Sequence, residues 1–194
     1  MLDVDGVVVT GRPADGAGWA TSIERDLGIT SQALQAKFFA PHWRDIVTGR
    51  RDLAAVLAQV LPALAPGVDA ARFIAYWFAH DARLEPAVLA ECAALRRAGV
   101  RVLLATNQEH LRARYLMETL GLADHVDGMI YSADVGVAKP HPAFFAAAAA
   151  RSRVSPSEIA LVDDTMANIT AARAAGWAAH HWTPGASLPA LLGR

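Results

Sequence analysis

Four aspartates stand at the ends of apolar segments, where carboxylates could act as nucleophiles, proton donors or metal ligands. Asp3 and Asp5 lie two residues apart in the opening stretch MLDVDGVVVTG, among apolar residues. Asp163 and Asp164 are adjacent at the end of the apolar stretch EIALVDD. Carboxylate oxygens are the ligands that a hard divalent cation such as Mg²⁺ takes. The pattern therefore predicts a site at which reactive carboxylates and a cation meet.

Three further polar residues follow strand-like segments. Thr106 and Asn107 end the apolar stretch VRVLLATN, and Lys139 lies in GVAKPHP, the loop after the weaker strand pattern VDGMIYS. In an open parallel sheet, ligands bind outside the carboxyl ends of the strands, so these side chains are expected to converge at one edge. Carboxylates with one lysine and one hydroxyl suit a divalent cation together with a phosphoryl group.

The order of the segments indicates how the chain is organised. From residue 86 onward, strand patterns alternate with helical patterns, which is typical of a parallel sheet covered on both faces by helices. Residues 14–81 contain helical patterns such as RDLAAVLAQVLPAL and DAARFIAYWFAH, with no convincing strand between them. We therefore predict an α/β core formed by residues 1–13 and 82–194, with an all-helical insertion at residues 14–81.

Composition excludes several classes of partner. The chain has 194 residues, 54% of them hydrophobic, and a formal net charge of −1, so it lacks the basic footprint expected of a nucleic-acid-binding domain. It contains no apolar run long enough to span a membrane, and we expect no signal peptide. The single cysteine, Cys92, rules out an intramolecular disulfide, and a cytoplasmic location is the default expectation.

Four segments in sequence order, DVDGV, LLATN, AKPHP and LVDDTMAN, resemble the four motifs of the haloacid dehalogenase-like (HAD) hydrolases. This resemblance covers nearly the whole chain. It implies a Rossmann-like core, and the insertion is similar to the small helical cap that follows the first motif in one subclass. The segments VGVAKPHPAFF and DDTMAN are most similar to the branch that contains small sugar-phosphate phosphatases and the phosphatase domain of epoxide hydrolases.

The resemblance implies roles for the carboxylates. Asp3 would be the nucleophile that forms an aspartyl-phosphate, and Asp5 would be the general acid and base. The Asp3 and Asp164 carboxylates, with the backbone carbonyl of Asp5, would bind Mg²⁺.

The resemblance also implies roles for the other polar residues. The Thr106 hydroxyl, the Asn107 backbone N–H and the Lys139 ammonium would bind the phosphoryl group, and Lys139 would also offset the charge of the nucleophile. Asp163 stands where many relatives carry glycine, and Asn168 where many carry aspartate. We expect Asp163 to orient Lys139 or a metal-bound water, and Asn168 to contact the groups that hold the metal rather than the metal itself.

Asp5 also bears on the reaction. A halide leaves without a proton, whereas a sugar or ester alkoxide benefits from one, so an acid at this position favours phosphate-ester hydrolysis over dehalogenation. We therefore predict a Mg²⁺-dependent phosphatase acting on a small phosphorylated metabolite, as a monomer or homodimer. A phosphomutase, a haloacid dehalogenase and a non-catalytic binding protein on the same fold remain alternatives.

Some of these residues have simple structural alternatives. Asp163 and Asp164 could cap the helix that begins near Thr165, and the aromatic residues of the insertion are expected to form its core. Among them, His42 and Trp43 are the candidates for cap residues that contact substrate.

The first strand is short for a central strand, because only Met1 and Leu2 precede Asp3. We expect such a strand to lower stability and turnover relative to a version with a fuller strand.

Overall fold

A parallel sheet forms the centre of the computed structural model, which describes residues 1–193. Its strands are β1 (Leu104–Thr106), β2 (Met129–Tyr131), β3 (Ala160–Asp163) and β4 (Ala178–His181). β1 pairs with β2 and β3 pairs with β4, both in parallel. Leu2 lies between the two pairs and bridges Leu104 and Val162, also in parallel. The order across the sheet is therefore β2, β1, the Leu2 strand, β3 and β4.

Helices surround this sheet and also form the whole of the insertion. The α-helices are α1 (Ile23–Leu27), α2 (Ser31–Leu34), α3 (Ala40–Val47), α4 (Leu53–Val60), α5 (Ala70–His80), α6 (Pro86–Arg97), α7 (His110–Arg114), α8 (Ser132–Val135), α9 (Pro142–Ser152), α10 (Met166–Ala174) and α11 (Leu188–Leu191). Single π-helical segments continue α2 into α3 at Gln35–Phe39 and extend α7 at Tyr115–Thr119. No helix within residues 1–193 is both long and apolar enough to cross a lipid bilayer.

Side-chain caps explain where the helices of the insertion begin. Thr30, Asp52 and Asp69 precede α2, α4 and α5, and each accepts a hydrogen bond from the backbone N–H of the third residue of its helix. Such a cap satisfies one of the N–H groups that the first turn of a helix leaves free.

The insertion, called the cap segment below (residues 14–81), has an apolar core of its own. That core includes Ile23, Leu34, Phe38, Ile46, Leu57, Phe73 and Trp77. Separate apolar clusters pack on the sheet, around Leu104 and Val162 and around Phe144 and Leu161. The structure thus confirms the predicted α/β fold, and the division at residues 13 and 82 stays a prediction.

Two short extended segments join the cap segment to the core. Thr10 N donates to Arg83 O (2.9 Å), Arg83 N donates to Gly11 O (3.1 Å), and Glu85 N donates to Val8 O (3.0 Å). The chain entering the cap segment is therefore hydrogen-bonded to the chain leaving it.

The opening residues are hydrogen-bonded to the strands on both sides. Val162 N donates to Met1 O, and the Met1 ammonium donates to Ala160 O at 2.6 Å. Burial lowers the pKa of this amino group to about 5. Beside it opens a cavity of about 430 Å³, lined by Leu2, Val102 and Ile159 among others. The sheet therefore has room for extended backbone at the amino end of this strand.

Placing about four apolar residues before Met1 should raise the melting temperature by about 3 °C or more. In a chain of this size, each kcal/mol of added stability raises the melting temperature by about 2–4 °C. The added residues would replace the buried ammonium with an amide and fill the cavity with apolar side chains. Thermal unfolding measures the change. An extension of glycine and serine of equal length is the control, because it removes the charge without filling the cavity. Equal melting temperature and turnover with and without the apolar extension would contradict the expectation.

Candidate active site

The carboxyl ends of three neighbouring strands place Asp3, Thr106 and Asp163 at one edge of the sheet. All three are buried polar residues, with Asp163 fully inaccessible. Lys139 reaches the same edge from the loop after α8 and is also buried. Buried charges are stable only when they are paired, so the contacts among these four side chains decide the character of the site.

Lys139 lies between two carboxylates. Its Nζ atom is 2.5 Å from Asp163 Oδ2 and 3.1 Å from Asp3 Oδ1. Asp3 Oδ1 also accepts the backbone N–H of Val4 at 2.8 Å. Burial nevertheless raises the pKa of Asp3, because Lys139 offsets the loss of hydration only in part and Asp163 and Asp5 repel its charge. Asp3 is thus a carboxylate whose negative charge is incompletely compensated.

Asp163, in contrast, is fully surrounded by donors. The Asn168 side-chain amide donates to both of its oxygens, at 3.0 and 3.1 Å, and the Thr165 backbone N–H donates to Oδ1 at 2.9 Å. With the Lys139 contact, these donors hold the carboxylate in one orientation. Asp163 therefore fixes the position of the Lys139 ammonium.

Asn107 fixes the same lysine from its backbone. Its side-chain oxygen accepts the Lys139 backbone N–H at 2.8 Å, and its side-chain nitrogen donates to the Lys139 carbonyl at 3.0 Å. This pair of hydrogen bonds ties the lysine loop to the end of β1. The sequence pattern predicted a role for the Asn107 backbone N–H and gave no sign of this role of its side chain.

Asp164 completes a group of acids. One carboxylate oxygen from each of Asp3, Asp163 and Asp164 lies within 4.8 Å of the others, a spacing that could hold a cation. Gly6 lies against Asp164 with φ of +81°, and a Cβ there would come within 2.2 Å of Asp164 Oδ2. Glycine is therefore required at position 6 both for the backbone conformation and for the approach of this carboxylate.

Asp5 lies at the mouth of the site, where its side chain is accessible. Gln108 Nε2 donates to Asp5 Oδ2 at 2.7 Å. Loss of hydration to the surrounding protein atoms, and repulsion from the neighbouring Asp81 carboxylate, raise the pKa of Asp5 to about 6. Arg112 and the hydrogen bond from Gln108 act in the opposite direction. Asp5 can therefore exchange a proton near neutral pH, as a general acid and base must.

The buried Arg112 explains how the end of the cap segment is held near Asp5. Its guanidinium donates to the carbonyls of Phe78 and Asp81, lies 3.4 Å from the Asp81 carboxylate, and packs over the rings of Phe78 and Tyr115. Sequence reasoning missed Gln108, Asp81 and Arg112. The available signal was position, because Gln108 directly follows the pair Thr106–Asn107.

The two cap residues singled out from the sequence have partners inside the cap segment. His42 Nδ1 lies 2.9 Å from an Arg51 guanidinium nitrogen. The Trp43 ring lies 5.6 Å from the rings of both Phe39 and Trp77. The structure thus gives each of them a structural role, and contact with substrate stays a prediction.

Among proteins of named activity, the chain is 32% identical over 120 residues to a plasmid-encoded phosphoglycolate phosphatase from Cupriavidus necator, covering 58% of this chain and 52% of that protein. It is 28% identical over 192 residues to a ribulose-1,5-bisphosphate 5-phosphatase from Halopiger xanaduensis, covering 91% of this chain and 80% of that one. The chain spans about half the length of the first curated relatives that it matches.

A similar fold occurs in a HAD family enzyme from Bacteroides thetaiotaomicron, crystallised with magnesium and inorganic phosphate. The TM-score is 0.80 at 18% identity, over 98% of this chain and 96% of that one. The family model for haloacid dehalogenase-like hydrolases matches residues 1–176, which contain all four motifs and the clustered carboxylates described above. The chain therefore belongs to the haloacid dehalogenase-like hydrolase family.

Proposed function

We propose that this protein is a Mg²⁺-dependent phosphatase that hydrolyses a small phosphorylated metabolite through an aspartyl-phosphate intermediate. The observation that carries the proposal is the pair Asp3 and Asp5. Asp3 is buried beside Lys139, and Asp5 is accessible with a pKa raised to about 6. One carboxylate is thus placed to attack and the other to transfer protons. The names of the relatives, phosphatases of phosphoglycolate and of ribulose bisphosphate, support this reaction class.

The donor set fits Mg²⁺. Three carboxylates lie close together with one buried lysine, so the site carries excess negative charge. Burial is the main cause of the raised pKa of Asp3, and repulsion from Asp163 and Asp5 adds to it. Asp163 already accepts from Lys139, Asn168 and Thr165. Asp3 and Asp164 have fewer donors, so they are the carboxylates more available to a cation. They would hold the cation together with the Asp5 backbone carbonyl. When bound, Mg²⁺ would reduce the repulsion between the anionic nucleophile and the phosphate dianion.

In the first step, an Asp3 carboxylate oxygen forms a bond to phosphorus as the bond from phosphorus to the leaving oxygen breaks. Lys139 and the Thr106 hydroxyl bind the phosphoryl oxygens, where charge accumulates. Asp5 gives its proton to the leaving oxygen, and the alcohol departs. Asp3 then carries the phosphoryl group, and Asp5 is ionised.

In the second step, Asp5 takes a proton from water as the water oxygen attacks phosphorus. The bond between phosphorus and Asp3 breaks, so inorganic phosphate is released and the Asp3 carboxylate is regenerated. Asp5 is protonated again and ready for the next substrate. Both steps use the same two carboxylates in alternating roles.

We also propose that the cap segment covers the substrate during these steps. It touches the core on two sides of the site, through Ser132 Oγ donating to Val47 O (2.5 Å) and through Arg112 donating to the Phe78 and Asp81 carbonyls. Closure over the site would exclude bulk water from the first step. Cap residues such as His42 and Trp43 would then select the leaving group.

Replacing Asp3 by asparagine should abolish turnover of sugar phosphates in the presence of Mg²⁺, and replacing Asp5 by asparagine should strongly reduce it. Asp3→Asn removes the nucleophile, and Asp5→Asn removes a proton donor worth about 10²–10⁴-fold. Hydrolysis is followed as phosphate release from a panel of sugar and hydroxyacid phosphates, with EDTA in parallel. The surface variant Asp124→Asn should keep full activity. Metal-independent turnover, or activity that survives Asp3→Asn, would contradict the proposal.

The stabilisation by Mg²⁺ should grow as pH rises from about 5 to about 8, because protons compete with the cation for Asp3. Asp3 has a raised pKa in the folded protein, to about 7 from 3.8. The folded metal-free chain therefore binds more protons than the unfolded chain in this window and loses stability as pH rises. Bound Mg²⁺ would keep Asp3 ionised and remove that loss.

The measurement is the difference in melting temperature with Mg²⁺ and with EDTA at each pH. The buried Met1 amino group titrates in the same window but contributes equally to both samples, so it cancels in the difference. Asp3→Asn should make the difference small at every pH. A difference that is as large at pH 5 as at pH 8 would count against Asp3 as a ligand.

Gly6→Ala should weaken Mg²⁺ binding by at least about tenfold, because its Cβ would push Asp164 Oδ2 from its position. The matched control is Gly121→Ala, since Gly121 has a similar φ of +79° but a Cβ there would meet no atom within 4 Å. Both variants carry the same backbone strain, so only the contact with Asp164 separates them. Titration of the melting temperature with Mg²⁺ gives the affinity, and equal affinities in the two variants would show that the contact is unimportant.

A further inference from the structure

Gln108 occupies a central place in the site. It follows the Thr106–Asn107 pair at the end of β1 and precedes α7, and only 3% of its surface is exposed. Its side-chain nitrogen donates to Asp5 Oδ2 at 2.7 Å and lies 3.4 Å from Thr106 Oγ1. It therefore touches both the group that transfers protons and the hydroxyl that would bind phosphate.

The backbone of Gln108 is anchored from two directions. Its carbonyl accepts the Ala133 backbone N–H at 3.1 Å and the Ser132 hydroxyl at 3.2 Å. Both donors belong to α8, which packs beside β2. The side chain consequently starts from a fixed backbone position, and its amide is buried between Asp5 and Thr106.

The anchored amide restricts the Asp5 carboxylate, which is otherwise accessible and able to rotate. In the orientation that the structure shows, the amide nitrogen of Gln108 faces Asp5 and donates, so Asp5 Oδ2 is the acceptor whether or not Asp5 is protonated. When Asp5 is protonated, the proton therefore lies on Oδ1. A carboxylate held in this way presents its proton from one defined oxygen.

We propose that Gln108 is a positioning residue that holds Asp5 so that Oδ1 delivers its proton to the leaving oxygen of the substrate. This inference rests on the proposed phosphatase function and deepens it. In this role, Gln108 does not contact the phosphoryl group while Asp3 attacks it. The Gln108 amide is much closer to Asp5 Oδ2 (2.7 Å) than to Thr106 Oγ1 (3.4 Å), so loss of Gln108 should impair proton delivery far more than the attack on phosphorus.

The chemistry of the leaving group makes this role measurable. The alkoxide of a sugar or hydroxyacid is a strong base and needs a proton as its bond to phosphorus breaks. The p-nitrophenolate ion is a weak base and leaves without one. A residue that acts only through the general acid should therefore matter for the first class of ester and little for the second.

The test compares Gln108→Met with the wild-type protein on p-nitrophenyl phosphate and on alkyl phosphates, with Mg²⁺ present. Methionine has a similar length and no donor. We expect kcat/KM, which reports only the steps up to departure of the alcohol, to fall by about 10²-fold on alkyl phosphates and by less than about threefold on p-nitrophenyl phosphate. Gln32→Met, at an exposed glutamine of α2, is the matched control and should change neither.

A double-mutant cycle with Asp5→Asn identifies the path of the effect. If Gln108 acts through Asp5, Gln108→Met should reduce kcat/KM on alkyl phosphates no further once Asp5→Asn is present. Melting temperatures establish that each variant is folded. If Gln108→Met does not fold, Gln108→Leu, which also lacks a donor and carries no charge, takes its place in the same comparison.

The outcomes separate this inference from the proposed function. An equal loss on both classes of ester, or additive losses in the cycle, would overturn the positioning role and leave the phosphatase function standing. A folded wild-type protein that hydrolyses no ester with Mg²⁺ would overturn both. A loss confined to alkyl phosphates and absent in the Asp5→Asn background would establish the role.

Discussion

The buried ammonium of Lys139 is the interaction on which the site depends. It lies between Asp3 and Asp163, in a place where an unpaired charge would be strongly destabilising. The protein satisfies it on one side with a carboxylate held by Asn168 and Thr165. On the other side is Asp3, whose charge remains partly uncompensated. This asymmetry leaves the reactive Asp3 carboxylate beside a lysine ammonium that Asp163 holds in one position.

The surrounding structure supports that arrangement through backbone contacts. The Asn107 side chain binds both backbone polar groups of Lys139, so the loop after α8 cannot shift without breaking two hydrogen bonds. The parallel bridges of Leu2 to Leu104 and Val162 carry Asp3 to the same edge of the sheet. Although that strand is short, it is hydrogen-bonded on both sides. The position of the nucleophile is therefore set by the sheet.

Sequence patterns were sufficient where a general rule of topology applies. Parallel strands end at one edge, so Asp3, Thr106 and Asp163 could be brought together from their places after apolar segments. The same rule, with the four motifs, predicted the α/β fold and the family, and both are confirmed. The roles assigned to individual site residues stay predictions.

The contacts that sequence patterns missed depend on how separate elements pack. Gln108 contacts Asp5, which is 103 residues away in the sequence. Arg112 contacts Asp81, which is 31 residues away and lies directly after the end of α5. Neither contact follows from periodicity or spacing. The partner of His42 is likewise set by the turn between α3 and α4, which brings Arg51 back to its ring.

The two attachments of the cap segment differ in how easily they can be released. The Ser132 hydroxyl has one hydrogen and two acceptors, Val47 O and Gln108 O. If Val47 moves away, the hydroxyl can still donate to Gln108 O. Arg112 has no such substitute, because withdrawal of Phe78 and Asp81 would leave a buried guanidinium unpaired. The cap segment is thus held weakly at α3, by the Ser132 hydrogen bond, and firmly at the end of α5, by the contacts of Arg112. A motion of the cap segment that keeps the Arg112 contacts would therefore leave Asp81 in place, and with it the carboxylate that raises the pKa of Asp5.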